Sequence, residues 1–280
     1  MGSLFSQAIV FLSLIGGIQA GLVEEGQEAQ EWRAQLSGIP EQRFADLRPL
    51  KAEFAFGWAD VLQAGSAEFE FARPSPGRYQ VVARGGSEGA VSLLWKLEAR
   101  HEASGSLAHL RSEKVKQVEK YRGKTLTTRL ELDGEKIRRL KESTRDPKDH
   151  AKWKTYDDPE IRDLVGVMLL IRSQPLKPGD TVRAVAYPSA NPFLVTVQVA
   201  AHEKIEIQGS ERDAIRLELD LKEISTRDEN EGELVDFEKF KGGRIWLSND
   251  KDRLPLRAEI DTFIGYVYGE LTDVEWGDEK

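Results

Sequence analysis

The chain has 280 residues and no cysteine, enough for one large domain or two small ones and for a core that needs no covalent staples. The missing thiols exclude disulfides, zinc ribbons, thiol nucleophiles and an amino-terminal lipid on cysteine. With 40 Lys+Arg against 48 Asp+Glu the net charge is -8, which repels a phosphate backbone and argues against nucleic acid as a partner.

From residue 4 to residue 18 runs LFSQAIVFLSLIGGI, and the first charge after the initiator is Glu24. That is the length of a signal-peptide hydrophobic region and short of the roughly 20 apolar residues that span a bilayer. Residues 1–20 read as a signal peptide cleaved after Ala20. The alternative is an uncleaved anchor, because no Lys or Arg precedes the apolar run. The expected location is the periplasm or cell envelope, with no membrane span once the signal is removed. Residues 21–50 carry Trp32, Leu36, Ile39, Phe44 and Leu47 at a loose helical spacing interrupted by Gly38 and Pro40, and predict a short helical leader. Residues 51–280 are expected to form a single β-rich domain.

From Glu53 onward the apolar residues recur every second position in short runs divided by Gly, Pro, Asp and Asn. That period belongs to antiparallel strands and hairpins. The predicted strands cover 53–58, 66–72, 78–84, 92–99, 107–121, 124–132 and 136–143, then 181–187, 194–208, 214–224, 234–247, 256–263 and 267–276. Ile215, Leu217, Leu219 and Leu221 share one face, and Asp133-Gly134 is the dipeptide of a tight hairpin turn. Between the two sets, residues 163–172 are apolar on nearly all sides. Asp157-Asp158-Pro159-Glu160 ahead of them resembles a helix start, so a helix of about three turns is expected. The fold class is mainly β: one large curved or barrel-like antiparallel sheet, with one central helix over its mouth or edge. Two small sheets joined at residues 144–160 are the alternative.

Several motifs together carry a family resemblance: Phe54-Ala-Phe-Gly57-Trp58, Ala64-Gly65-Ser-Ala, Arg172-Ser-Gln-Pro-Leu-Lys-Pro-Gly-Asp180, Ile245-Trp-Leu-Ser-Asn-Asp250 followed by Arg253-Leu-Pro255-Leu-Arg, and Ile264-Gly265-Tyr-Val-Tyr-Gly-Glu-Leu271. In this order and spacing they resemble the bacterial domain-of-unknown-function family 3108 over residues 51–276. The resemblance implies an envelope location and a mostly antiparallel fold. It supplies no catalytic residues. The charged stretch 138–154 is longer and more polar than the family pattern.

The chemistry-bearing residues are sparse. His101, His109, His150 and His202 lack metal-ligand spacing, although a hairpin turn at Gly105 could set His101 opposite His109. No G-x-S-x-G, P-loop or dinucleotide fingerprint follows a strand. No metal site, cofactor or catalytic residue is assigned. Arg172 directly follows the apolar run and must draw a carboxylate or carbonyl partner inward, as a structural ion pair or as the anchor of an anionic ligand head. Trp246, a core or mouth aromatic, and Trp58 are the other candidate ligand-binding residues. The basic stretch 138–154 reads as a solvated hairpin and loop, or as a surface for an anionic polymer or membrane. The leading functional reading is a non-catalytic carrier or binding module for an apolar or lipid-like molecule. The alternatives are an assembly factor with an envelope protein partner and a hydrolase of envelope polymers, the latter needing paired carboxylates in a cleft.

Overall fold

A computed structural model describes residues 31–94, 96–121, 123–144, 153–238, 240–262 and 265–277. The first strands are β1 (Leu50–Trp58), β2 (Leu62–Ala72) and β3 (Arg78–Ser87), then a short helix α1 (Gly89–Leu94). Next come β4 (Leu97–Ser106), β5 (Arg111–Tyr121), β6 (Lys124–Leu132), β7 (Lys136–Ser143), β8 (Lys154–Asp157) and β9 (Ile161–Arg162). Helix α2 (Leu164–Ser173) precedes β10 (Thr181–Ala186), β11 (Phe193–Ile207), β12 (Ser210–Ile224) and β13 (Leu234–Asp236). The chain ends in β14 (Gly243–Ser248), β15 (Pro255–Thr262) and β16 (Gly265–Trp276).

All sixteen strands belong to one sheet, in the order β8-β7-β6-β5-β4-β3-β2-β1-β16-β15-β14-β12-β11-β10-β9, with β13 added on β12. Every neighbouring pair is antiparallel except β9 with β10, which is parallel. The sheet is not closed. Its edges are β8 and β9, which are consecutive in the chain and separated only by residues 158–160. The sheet therefore curls until its edges meet, yet no ladder joins them. Backbone and side chains close the seam instead: Asp158 N–H donates to Glu135 O at 2.9 Å, and the Arg111 guanidinium donates to Pro159 O. The 187–192 loop after β10 reaches across the interior. Gln117 Nε2 donates to Pro188 O at 2.8 Å, Arg139 Nη1 to Ser189 O at 3.2 Å, and Tyr187 packs on Tyr156 with ring centroids 5.6 Å apart.

Helix α2 crosses one end of the curl. Asp163 caps it, accepting from Val165 N and Gly166 N, so the start signal is one residue before the helix, and Asp157-Asp158-Pro159-Glu160 instead spans the end of β8 and the edge connection. Arg162 ties the amino end to His109 O in the β4–β5 turn, and Arg172 Nη2 ties the carboxyl end to Asp252 O in the β14–β15 turn at 2.7 Å. Val165, Val167, Leu169, Leu170 and Ile171 are all buried.

Four sequence expectations are corrected. Residues 92–99 are not a strand: α1 occupies Gly89–Leu94 and β4 begins at Leu97. The long strand 107–121 is shorter, because its first residues form the β4–β5 turn. Residues 234–247 split into β13 and β14. The leader is not helical over the part described, where only Arg33–Gln35 makes a single 3-10 turn. Its N–H groups go elsewhere: Ser37 N to Arg183 O, Phe44 N to Ser173 O and Asp46 N to Lys251 O. With Arg183 N donating to Ser37 Oγ, this segment covers the free margin of β10, while Trp32 and Leu47 bury in the core. Residues 1–30, which hold the predicted signal and the first part of the leader, lie outside the described residues, as do residues 145–152 of the basic stretch, with His150 among them. Of that stretch, Arg138 pairs with Glu131 and lies over the Trp153 ring, 4.6 Å from its centroid.

The loop clamp makes a prediction. Gln117→Leu leaves the buried Pro188 carbonyl unpaired and should lower stability by about 1–3 kcal/mol. Combined with Arg139→Met, the loss measured by urea unfolding should be smaller than the sum of the two single losses, because both residues hold the same loop.

Candidate functional site

Strand alternation lines the inner wall of the curl with Leu50, Ala52, Phe54 and Phe56 from β1, in register with Phe71, Phe69, Ala67 and Gly65 from β2. Gly65 makes room for the ring of Phe56: a Cβ there would lie 2.3 Å from Phe56 Cζ. Further round, Ile245, Ala258 and Gly269 continue the same rung onto β14, β15 and β16. Facing this wall, α2 presents Leu164, Met168 and Arg172. The helix packs on β5, β9 and β10, which leaves it standing off the β1, β2, β15 and β16 wall. Small side chains at Ala52, Ala67, Ala258 and Gly269 do not fill the gap. A cavity of about 210 Å³ results. Phe54, Phe69, Leu164, Met168, Ala258 and Ile260 point into the interior yet are only half-buried, which is unusual for aromatic and aliphatic groups inside a curled sheet.

Of the three candidate residues, the structure puts Arg172 in the cavity wall. It is 6% exposed. Burial pulls its guanidinium down to about 10, opposed by the nearby carboxylates of Asp252 and Asp250, so it stays charged at neutral pH. Its partner is the carbonyl of Asp252, and its Nε has no acceptor among the described residues. The Asp252 carboxylate is held by Arg48 at 2.9 and 2.6 Å. Trp58 continues the inward row one step past Phe56 and lies against Gly265, whose φ is +105°, outside the cavity wall. Trp246 points to the opposite face, between Arg216 and Arg257, and donates to Glu203 Oε1 at 2.8 Å. The three are not brought together. Arg257, at the cavity margin, is bonded to Asp60, Glu259 and Glu270 at 2.6, 2.8 and 2.6 Å.

The interior has a second, polar part that the sequence reading missed. One rung across β4 to β7 aligns His101, Gln117, Thr128 and Lys141, and the next places Glu119 beside Ala99 and Leu126. His101 does not meet His109, which lies in the turn beyond β4. Both ring nitrogens of His101 are buried without a partner among the described residues, and burial lowers its pKa against the opposing pull of Asp163 and Glu102. Among the described residues no three His, Asp or Glu side chains are grouped to hold a metal.

A family model described as "Protein of unknown function (DUF3108)" matches residues 53–272. The chain belongs to this family. No curated protein matches the sequence. Among solved structures, a β-barrel-like protein of domain of unknown function DUF1849 from Brucella abortus superposes with a TM-score of 0.57 at 10% identity, covering 84% of this chain and 100% of that one. This shared fold fits the curled sheet. A protein from Bacteroides fragilis described as exported, with a YmcC-like fold, has a TM-score of 0.32 at 12% identity, covering 84% and 99%. One from Parabacteroides distasonis described as a lipoprotein has a TM-score of 0.34 at 8% identity, also covering 84% and 99%.

The DUF3108 interior carries a pH signature. Burial raises the Glu119 carboxyl from 4.5 to about 7, with Lys141 opposing. A carboxyl that takes up its proton more readily when folded contributes stability below its unfolded value and loses it as pH rises through the folded one. The Glu119 contribution to stability should therefore fall between about pH 4.5 and 7, while buried His101, its pKa lowered from 6.5, contributes in the opposite sense. Glu119→Gln should flatten that fall and raise the unfolding midpoint at pH 8, as read by thermal melts across the range.

Proposed function

We propose that this DUF3108 protein is an exported, non-catalytic binding module whose curled sheet holds an apolar, lipid-like ligand between α2 and the β1, β2, β15 and β16 wall. The observation that carries the reading is the unfilled space itself. Half-buried Phe54, Phe69 and Met168 inside the sheet are apolar surface left uncovered, and covering it with a ligand is favourable at about 25 cal/mol per Å². The cavity exceeds the roughly 150 Å³ that holds benzene and falls below the roughly 300–1,000 Å³ of drug-sized sites, so it suits a slender chain. Carboxylates at its Arg257 margin are engaged in ion pairs, which favours binding over hydrolysis. The uncharged run at residues 4–18 and the small Ala20 support export. No helix among the described residues is long and apolar enough to cross a membrane.

A second reading, an assembly factor, draws on Val61, Leu62 and Leu93, which are 88%, 47% and 87% exposed. Native mass spectrometry of protein taken from its own envelope fraction separates the two: a co-purifying lipid supports the binding module, a stoichiometric protein the assembly factor.

The cavity is tested directly with the neutral fluorophore N-phenyl-1-naphthylamine. The unmodified protein should enhance its fluorescence saturably. Ala258→Phe, which fills the cavity from β15, should abolish the enhancement while leaving the unfolding midpoint unchanged or higher. Absence of binding to the unmodified protein refutes the reading, as does undiminished binding to a folded Ala258→Phe variant.

A further inference from the structure

Resting on the binding-module reading, we infer that the ligand is a single-chain amphiphile with an anionic head, carboxylate or phosphate monoester, and that Arg172 receives that head at the α2 end of the cavity. A wall of apolar side chains explains affinity for hydrocarbon. It does not explain a guanidinium in that wall. Arg172 is 6% exposed, and a group buried this deeply normally has its charge matched and its N–H groups bonded. Here Nη2 reaches only the Asp252 carbonyl, and Nε has no acceptor among the described residues.

The carboxylates nearest Arg172 are engaged elsewhere. Asp252 is engaged by both arms of Arg48. Asp250 Oδ1 is engaged by Ser248 Oγ and by the N–H groups of Asp252 and Arg253. Arg253 spends its guanidinium on the carbonyls of Gln174 and Pro175, at 3.0 Å each. Among the described residues, the carboxylates of Asp252 and Asp250 are thus engaged by other groups, and neither is bonded to Arg172. Lys251 and Asp46 pair with each other nearby. The other arginine at the margin, Arg257, already holds three carboxylates. An oxyanion at Arg172 forms charge-assisted hydrogen bonds in a low-dielectric site while its chain lies along Met168, Phe54 and Phe69. The cavity's modest volume admits one chain and not the two of a diacyl lipid.

Displacement of N-phenyl-1-naphthylamine from the full chain by dodecanoate, dodecyl phosphate and dodecanol, each below its micelle concentration, tests the inference. At least one anion should displace the probe at a concentration about tenfold lower than dodecanol, and the stronger of the two identifies the head. Arg172→Gln should bring that anion level with dodecanol measured on the same variant, and Arg172→Lys should restore much of the preference. Dodecanol competing as well as both anions overturns the inference, as does a preference that survives in Arg172→Gln. The comparison on the unmodified protein decides the matter even if Arg172→Gln fails to fold. Failure of the fluorophore to bind at all is a different result and counts against the cavity reading.

Discussion

The curl of the sheet is held shut by side chains bonded to backbone, and every other feature of the interior follows from that closure. A ladder between β8 and β9 would make a regular barrel with matched strand ends. Instead β9 is two residues long and pairs in parallel with β10, so the seam depends on Arg111, Gln117 and Arg139 donating to carbonyls at Pro159, Pro188 and Ser189. This is why one side of the interior is polar. Gln117 and Arg139 sit on inward positions that an apolar core would give to Leu or Val, because the loop they clamp is backbone, and buried carbonyls need donors.

The same closure fixes where α2 can lie. The helix begins one residue after β9, and Asp163 caps it, so its start is pinned to the seam. It packs on β5, β9 and β10, and its far end is pinned to the β14–β15 turn through Arg172 and Arg253. Tied at both ends, this ten-residue helix stands off the β1 and β2 wall. The cavity is thus a consequence of the helix being tied to one side of a wide curl, enlarged by Ala and Gly where larger residues would have reached it.

Strands marked by a clear turn or by apolar alternation were legible from the sequence: β6 and β7 match their predicted bounds on either side of Asp133-Gly134, and β12 alternates as Ile215, Leu217, Leu219 and Leu221 indicated. β4 was misplaced because its inner face is scarcely apolar. In β4 the inward residues are Ala99, His101 and Ala103, alternating with Glu98, Arg100 and Glu102, so period two had almost no hydropathy contrast to show. The preceding Gly89–Leu94 segment is too short for a helical period to stand out. The leader misled because its apolar spacing is real: Trp32 and Leu47 do bury, but the N–H groups that a helix would use are taken by other parts of the chain. Arg172 could be found because a charge ending an apolar run is conspicuous. The cavity could not, since Phe54, Phe69 and Ala258 read the same whether the space before them is filled or empty.

Trp246 shows the limit of reasoning from residue type. A tryptophan between Ile245 and Leu247 invites an interior assignment, yet alternation puts its neighbours inside and the indole outside. There it is buried by long side chains, Arg216 and Arg257 on either hand, with Glu203 accepting from its Nε1. Charged residues with long stems can cover an aromatic ring as thoroughly as a core does, so on a sheet rich in Arg and Glu burial alone does not mark the inner face. The inner face is marked by what is missing from it. Its residues Phe54 and Met168 pack on the core yet stay half-buried, and the Nε of Arg172 has no acceptor among the described residues; a single-chain amphiphile would supply a contact to each.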